Sequence, residues 1–74
     1  MSKHNLHKYK IIFKAKYNYD SIDYVFLAVN DHDAERYIEP FTNLYTIDHV
    51  WRYNRDIQRY EPVKALEDKY VKAT

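Results

Sequence analysis

The sequence predicts a small α+β domain of order β-β-α-β, with a three-stranded sheet in the spatial order 2-1-3. One helix covers one face of the sheet, and a short helix closes the C-terminus. Three observations carry this. Residues 8–19 alternate, with Tyr9, Ile11, Phe13, Ala15, Tyr17 and Tyr19 on one side and Lys8, Lys10, Ile12, Lys14, Lys16 and Asn18 on the other. That is the period of a strand with one buried and one solvated face. Ala34, Tyr37, Ile38 and Phe41 recur at i, i+3, i+4 and i+7, the stripe of an amphipathic helix. Residues 44–53 alternate again, with Tyr45, Ile47, His49, Trp51 and Tyr53 on one face and Thr46, Asp48, Val50 and Arg52 on the other.

The elements follow in chain order. Residues 1–6 read as a loose polar terminus. After the first strand, Asn18, Asp20 and Ser21 supply side chains that bond their own backbone and favour a turn. Residues 22–29 form an apolar, β-rich run that pairs back as a hairpin. Apart from Asp23 this run is apolar on both faces, which leaves its register open. Asp31 is placed to cap the helix, with Asp33 and Glu35 in its first turn at the positive end of its dipole. Pro40 disfavours helical geometry at the residue before it, so the helix is expected to end near Ile38 or Glu39. In the third strand Trp51 is the expected core anchor. A turn at 54–56 then closes a core of residues 7–54. Residues 55–74 form an extension with two readings: 57–63 as a short returning edge strand, or, favoured, a short extended piece and then a helix over 62–72 with Pro62 in its first turn and Val63, Leu66, Tyr70 and Val71 on one side. A right-handed crossover makes strands 2 and 3 parallel to each other, and strand 1 fits between them antiparallel to both.

Composition narrows the functional classes. The 74 residues contain no Cys and no Gly, and nine are Tyr. Disulfides and thiolate metal sites are excluded, as are phosphate cradles built from Gly-rich loops. No apolar stretch approaches the roughly 20 residues of a membrane-spanning helix, and the first eight residues lack the apolar run of a signal peptide. Lys, Asn, Ile, Tyr and Asp, all with A/T-rich codons, supply nearly half the chain. The expected source is a low-GC bacterium, its phage or a mobile element, and the expected location is the cytoplasm of the bacterial cell. The net charge of +1 gives no global pull toward nucleic acid. Its distribution is uneven: +5 over residues 1–19, −6 over 20–48 and +2 over 49–74.

Catalysis finds little support. Ser21, Thr42 and Thr46 lie in no nucleophile elbow, and the neighbours Asp48 and His49 point to opposite faces of a regular strand. His4 with His7, and Asp31 with His32 and Asp33, lack the spacing of a metal-ligand set. No catalytic residue, metal or cofactor is expected. His49 reads as a core histidine. A lysine row at Lys8, Lys10, Lys14 and Lys16, extended by Arg52, Arg55 and Arg59, could meet phosphates. A single-strand platform also needs aromatics on that same face, and strand 1 puts its own on the other. A protein interface fits better: Ile12, Val50 and one side of strand 2 at the centre, with Lys8, Lys10, Lys14, Lys16, Asp48 and Arg52 as a polar rim and Arg55 just beyond.

The stretch Val25-Phe26-Leu27-Ala28-Val29-Asn30-Asp31-His32-Asp33-Ala34-Glu35, followed by Tyr45-Thr46-Ile47-Asp48-His49-Val50-Trp51-Arg52, resembles the small inhibitor of bacterial RNA polymerase made by T7-like phages. That family shows a hairpin, a strand running into an acidic helix, and a third strand. In it, basic residues on the third strand contact the polymerase; Arg52 stands in the corresponding place and Arg55 lies just past it. The resemblance covers about half the chain. It implies a phage or mobile-element protein that binds and modulates a bacterial host or defence protein, such as RNA polymerase or a nuclease. A small nucleic-acid-binding accessory protein is the alternative, and a homodimer through the open sheet face is a further option.

Overall fold

The computed structural model describes residues 6–15 and 17–71. Its order is β1 (His7–Ala15), β2 (Asn18–Ala28), α1 (Asp31–Ile38), a 3-10 turn (Glu39–Asn43), β3 (Tyr45–Asn54), β4 (Arg59–Pro62) and α2 (Lys64–Tyr70). The class is α+β as expected, and the sheet order β2-β1-β3-β4 contains the expected 2-1-3. Every neighbouring pair is antiparallel. The sheet has four strands rather than three, because Arg59–Pro62 returns along β3 before α2 begins.

The first hairpin turns earlier than the sequence suggested. β1 stops at Ala15 and β2 already begins at Asn18, so the strand expected over 8–19 is divided between the two. Tyr17, expected on the buried side, is 98% exposed. The lysine at position 16 and the N-terminal residues up to 5 lie outside the described residues. The register sets Tyr9 opposite Phe26, Ile11 opposite Tyr24 and Phe13 opposite Ile22, which places the β1 aromatics and the even-numbered side chains of β2 on one face.

That face carries both helices. Tyr9, Ile11, Phe13, Phe26, Ala28, Ala34, Ile38, Ile47, Val50, Val63, Leu66 and Tyr70 form one core cluster. α1 lays Ala34 and Ile38 into it, while Phe41, from the 3-10 turn, packs its ring at a tilt against Phe13 and Tyr24. Pro40 stands in that 3-10 turn, where the α-helix gives way as expected. The cap is Asn30 rather than Asp31: its Oδ1 accepts the Asp33 N–H at 2.8 Å. Asp31 is the first helical residue, and its carboxylate faces the sheet instead.

α2 lies beside α1 on the same side. Lys69 Nζ donates to Glu35 Oε1 at 2.9 Å, joining α2 to α1, and the Tyr70 hydroxyl donates to Glu39 Oε2 at 2.7 Å, joining it to the 3-10 turn. Val63 N–H donates to the Val50 carbonyl, and Glu67 Oε2 accepts the Val50 N–H, so β3's outer edge is satisfied where β4 ends. Among the described residues the opposite face of the sheet carries no helix.

Candidate functional site

The open face is built by a β-bulge. Along β3, Ile47 opposes Phe13 and His49 opposes Ile12, so Asp48 is an extra residue with no partner position on β1. Two residues against one shifts the alternation by a step. Tyr45 and Ile47 point to the helices before the bulge; Val50 and Arg52 do so after it. His49, Trp51 and Tyr53 then emerge on the open side, across from Ile12, Lys10 and Lys8.

This corrects four expectations. Val50, expected in the open-face interface, is 0% exposed in the core. Trp51, expected as core anchor, is half-buried on the open face with its ring stacked on His49 at 5.1 Å. His49 is not a core histidine; it is exposed on that face. Arg52 belongs to the helix side, where its Nη1 meets Asp31 Oδ1 at 3.1 Å. The same oxygen accepts the Tyr9 hydroxyl at 2.6 Å. Burial, and then this hydrogen bond to Asp31, push the Tyr9 hydroxyl up from 10.0 to about 12.

Of the predicted site residues, Lys8, Lys10, Ile12, Lys14 and Asp48 do come together. Lys8, Lys10, Ile12 and Lys14 line the open side of β1, flanked by Val25 and Leu27 of β2. Val25 and Leu27 are 46% and 50% exposed. Lys10 Nζ approaches Asp23 at 3.9 Å and Lys14 Nζ approaches Asp48 at 3.6 Å. Lys10 also covers the Tyr60 ring at 4.5 Å from its centroid, and Lys8 covers Tyr53 at 5.0 Å. Burial, with Tyr53 and Asp23 nearby, raises the Tyr60 hydroxyl above its ordinary value. The face therefore has apolar Ile12, Val25 and Leu27 beside a ring patch of Trp51, Tyr53 and Tyr60, bordered by lysines. Two of these lysines are matched to acids.

Arg55 stands off this face, in the turn between β3 and β4. With Lys8, Arg52 and Glu61 it borders a cleft of about 790 Å³ at the end of the sheet where β1 starts. Sequence reasoning missed Trp51, Tyr53 and Tyr60 as members of the open face. The available signal was the doublet Asp48-His49 between apolar Ile47 and Val50: two polar residues where strict alternation allows one. Asp31 and Asp33, weighed as metal ligands, are engaged otherwise. Asp33 Oδ2 accepts the Val29 N–H at 3.0 Å, and its carboxylate pairs with Arg36.

Comparison of the chain with known protein families, with curated proteins and with solved structures yields no match.

Proposed function

We propose that this chain is a non-enzymatic binding module that docks another protein on the open face of its sheet. The observation that carries the reading is the uncovered face itself, with Ile12, Val25, Leu27 and Trp51 in a frame of Lys8, Lys10, Lys14, Asp23 and Asp48. Among the described residues both helices pack on the other side, which leaves Val25 and Leu27 exposed and Ile12 and Trp51 partly so. Pairing Lys10 and Lys14 with acids lowers the local positive charge, which suits a protein surface better than a phosphate backbone. The resemblance to the phage polymerase inhibitors supports a host-directed role, with a bacterial host or defence protein such as RNA polymerase or a nuclease as the partner. The contacts would come from the open face, while Arg52, bound to Asp31, holds α1 to the sheet.

The test is comparative capture from nuclease-treated lysate of a low-GC bacterium, using the tagged chain and a folded Ile12→Asp, Leu27→Asp variant. A host protein retained in stoichiometric amount by the first and lost by the second supports the reading. Equal capture by both would refute the face as the docking site.

The bulge favours one second reading. It sets Trp51 and Tyr53, with Tyr60, on the lysine face, which is the combination that single-stranded nucleic acid requires. Trp51 is the only Trp, so its fluorescence reports on this face directly. Titration with a single-stranded oligonucleotide would quench it, with affinity falling steeply as salt rises. An unchanged spectrum removes this reading.

A further inference from the structure

The two edges of the sheet are built differently. β4 is four residues long, carries Arg59 and Glu61 and ends in Pro62. Short length, charge and proline are the usual guards against a further strand. β2 is eleven residues long, and its segment from Ile22 to Ala28 contains no Lys, Arg or Pro. Among the described residues no strand pairs with its outer edge.

β2 is also apolar on both of its faces. Ile22 and Tyr24 on the helix side are 42% and 41% exposed, and Val25 and Leu27 on the open side are more so. A long apolar edge strand without such guards presents a row of unpaired N–H and C=O groups, a ready template for a further strand, and a paired strand would set side chains beside the exposed ones on both faces. No other edge in the described chain has this length and pattern.

We infer that the outer edge of β2 pairs with β2 of a second copy, antiparallel about a two-fold axis at Val25, to form a continuous eight-stranded sheet. The occupant must be extended, apolar on both faces and open along one edge, and β2 itself has these properties. Centring the axis at Val25 sets Tyr24 against Phe26, Ile22 against Ala28 and Val25 against its own copy. Asp23 then lies opposite Leu27, so no two acids face each other, and each Asp23 keeps its ion pair with Lys10. The net charge of +1 adds little repulsion between copies. The helices of both copies fall on the same side, and the two open faces join into one of twice the width. This pairing uses the strand edge, so it stands apart from docking on the open face.

The test uses the chain's lack of cysteine. In sedimentation the wild type moves from its 9.1 kDa monomer toward twice that mass as concentration rises. Ile22→Lys, at an exposed site outside the proposed docking face, stays monomeric with an unchanged circular dichroism spectrum. Among single variants Asp23→Cys, Val25→Cys and Leu27→Cys, mild oxidation cross-links Val25→Cys most, well above Gln58→Cys at the guarded end. A chain still monomeric at about 1 mM would overturn the inference and leave this edge to an extended segment of another protein. A dimer that withstands Ile22→Lys and cross-links through Trp51→Cys instead would also overturn it, in favour of face-to-face association.

Discussion

Replacing Val50 by Ala tests the bulge more sharply than any other change, because regular alternation and the observed register make opposite claims about it. In a regular β3, Val50 would lie on the open face and Trp51 in the core, so truncating Trp51 would be the damaging change. In the structure Val50 is fully buried among core side chains, and its N–H and carbonyl hold Glu67 and Val63. Val→Ala removes two methylene equivalents, about 1.6 kcal/mol of transfer free energy. The cavity left in a core that cannot fully collapse brings the loss to about 2–3 kcal/mol. For a domain of this size the melting temperature should fall by roughly 8–24 °C. With a urea slope near 1 kcal/mol/M, the midpoint should fall by about 2–3 M. Urea unfolding followed by circular dichroism measures this without relying on Trp51. Trp51→Ala, at a partly buried ring outside the core cluster, should leave the chain folded. If Trp51→Ala unfolds the chain while Val50→Ala melts like the wild type, the bulge and the open face built on it are wrong.

Two further outcomes follow from local chemistry. Tyr9 is held neutral in the fold with its pKa raised from 10.0 to about 12; its contribution is complete below pH 10 and is lost as pH rises toward 12. Tyr9's own share of the decline over that interval is about 2–3 kcal/mol, and the decline should be shallower in Tyr9→Phe, as pH-dependent melting would show. Gln58 takes a positive φ of 55° in the turn between β3 and β4. Gln58→Gly should raise stability by up to about 1 kcal/mol in the same urea assay, since the left-handed penalty for a side chain outweighs the added freedom of the unfolded chain.

The crossover between strands 2 and 3 led to the 2-1-3 order, and periodicity revealed the class and the stripe of α1, because those features repeat over many residues. The Val63, Leu66, Tyr70 and Val71 side of the C-terminal helix was legible for the same reason, although the side of the sheet it would cover was not. What escaped was set by single residues. One extra residue at Asp48 reversed the faces of Val50, Trp51 and Arg52, with no Gly or Pro to mark it. The choice of Asn30 over Asp31 as cap depended on a tertiary partner: Asp31 is drawn to Tyr9 and Arg52, which lie 22 and 21 residues away. The candidate site was half legible. Lys8, Lys10, Lys14 and Ile12 sit where expected, because β1 alternates regularly through them, whereas the aromatic half depended on the bulge.

The bulge also makes the length of β3 negotiable. In a regular ladder the loss of one residue inverts every side chain beyond it. Without Asp48, the run Tyr45-Thr46-Ile47-His49-Val50-Trp51-Arg52 alternates strictly, with Ile47, Val50 and Arg52 still inward and His49 and Trp51 still outward. Asp48 is thus a spacer at which the reading of the sheet is already out of phase, and a one-codon deletion there restores the phase. Related chains could differ in length at this point while keeping the same core and the same open face, with loss of the Lys14–Asp48 ion pair as the local price.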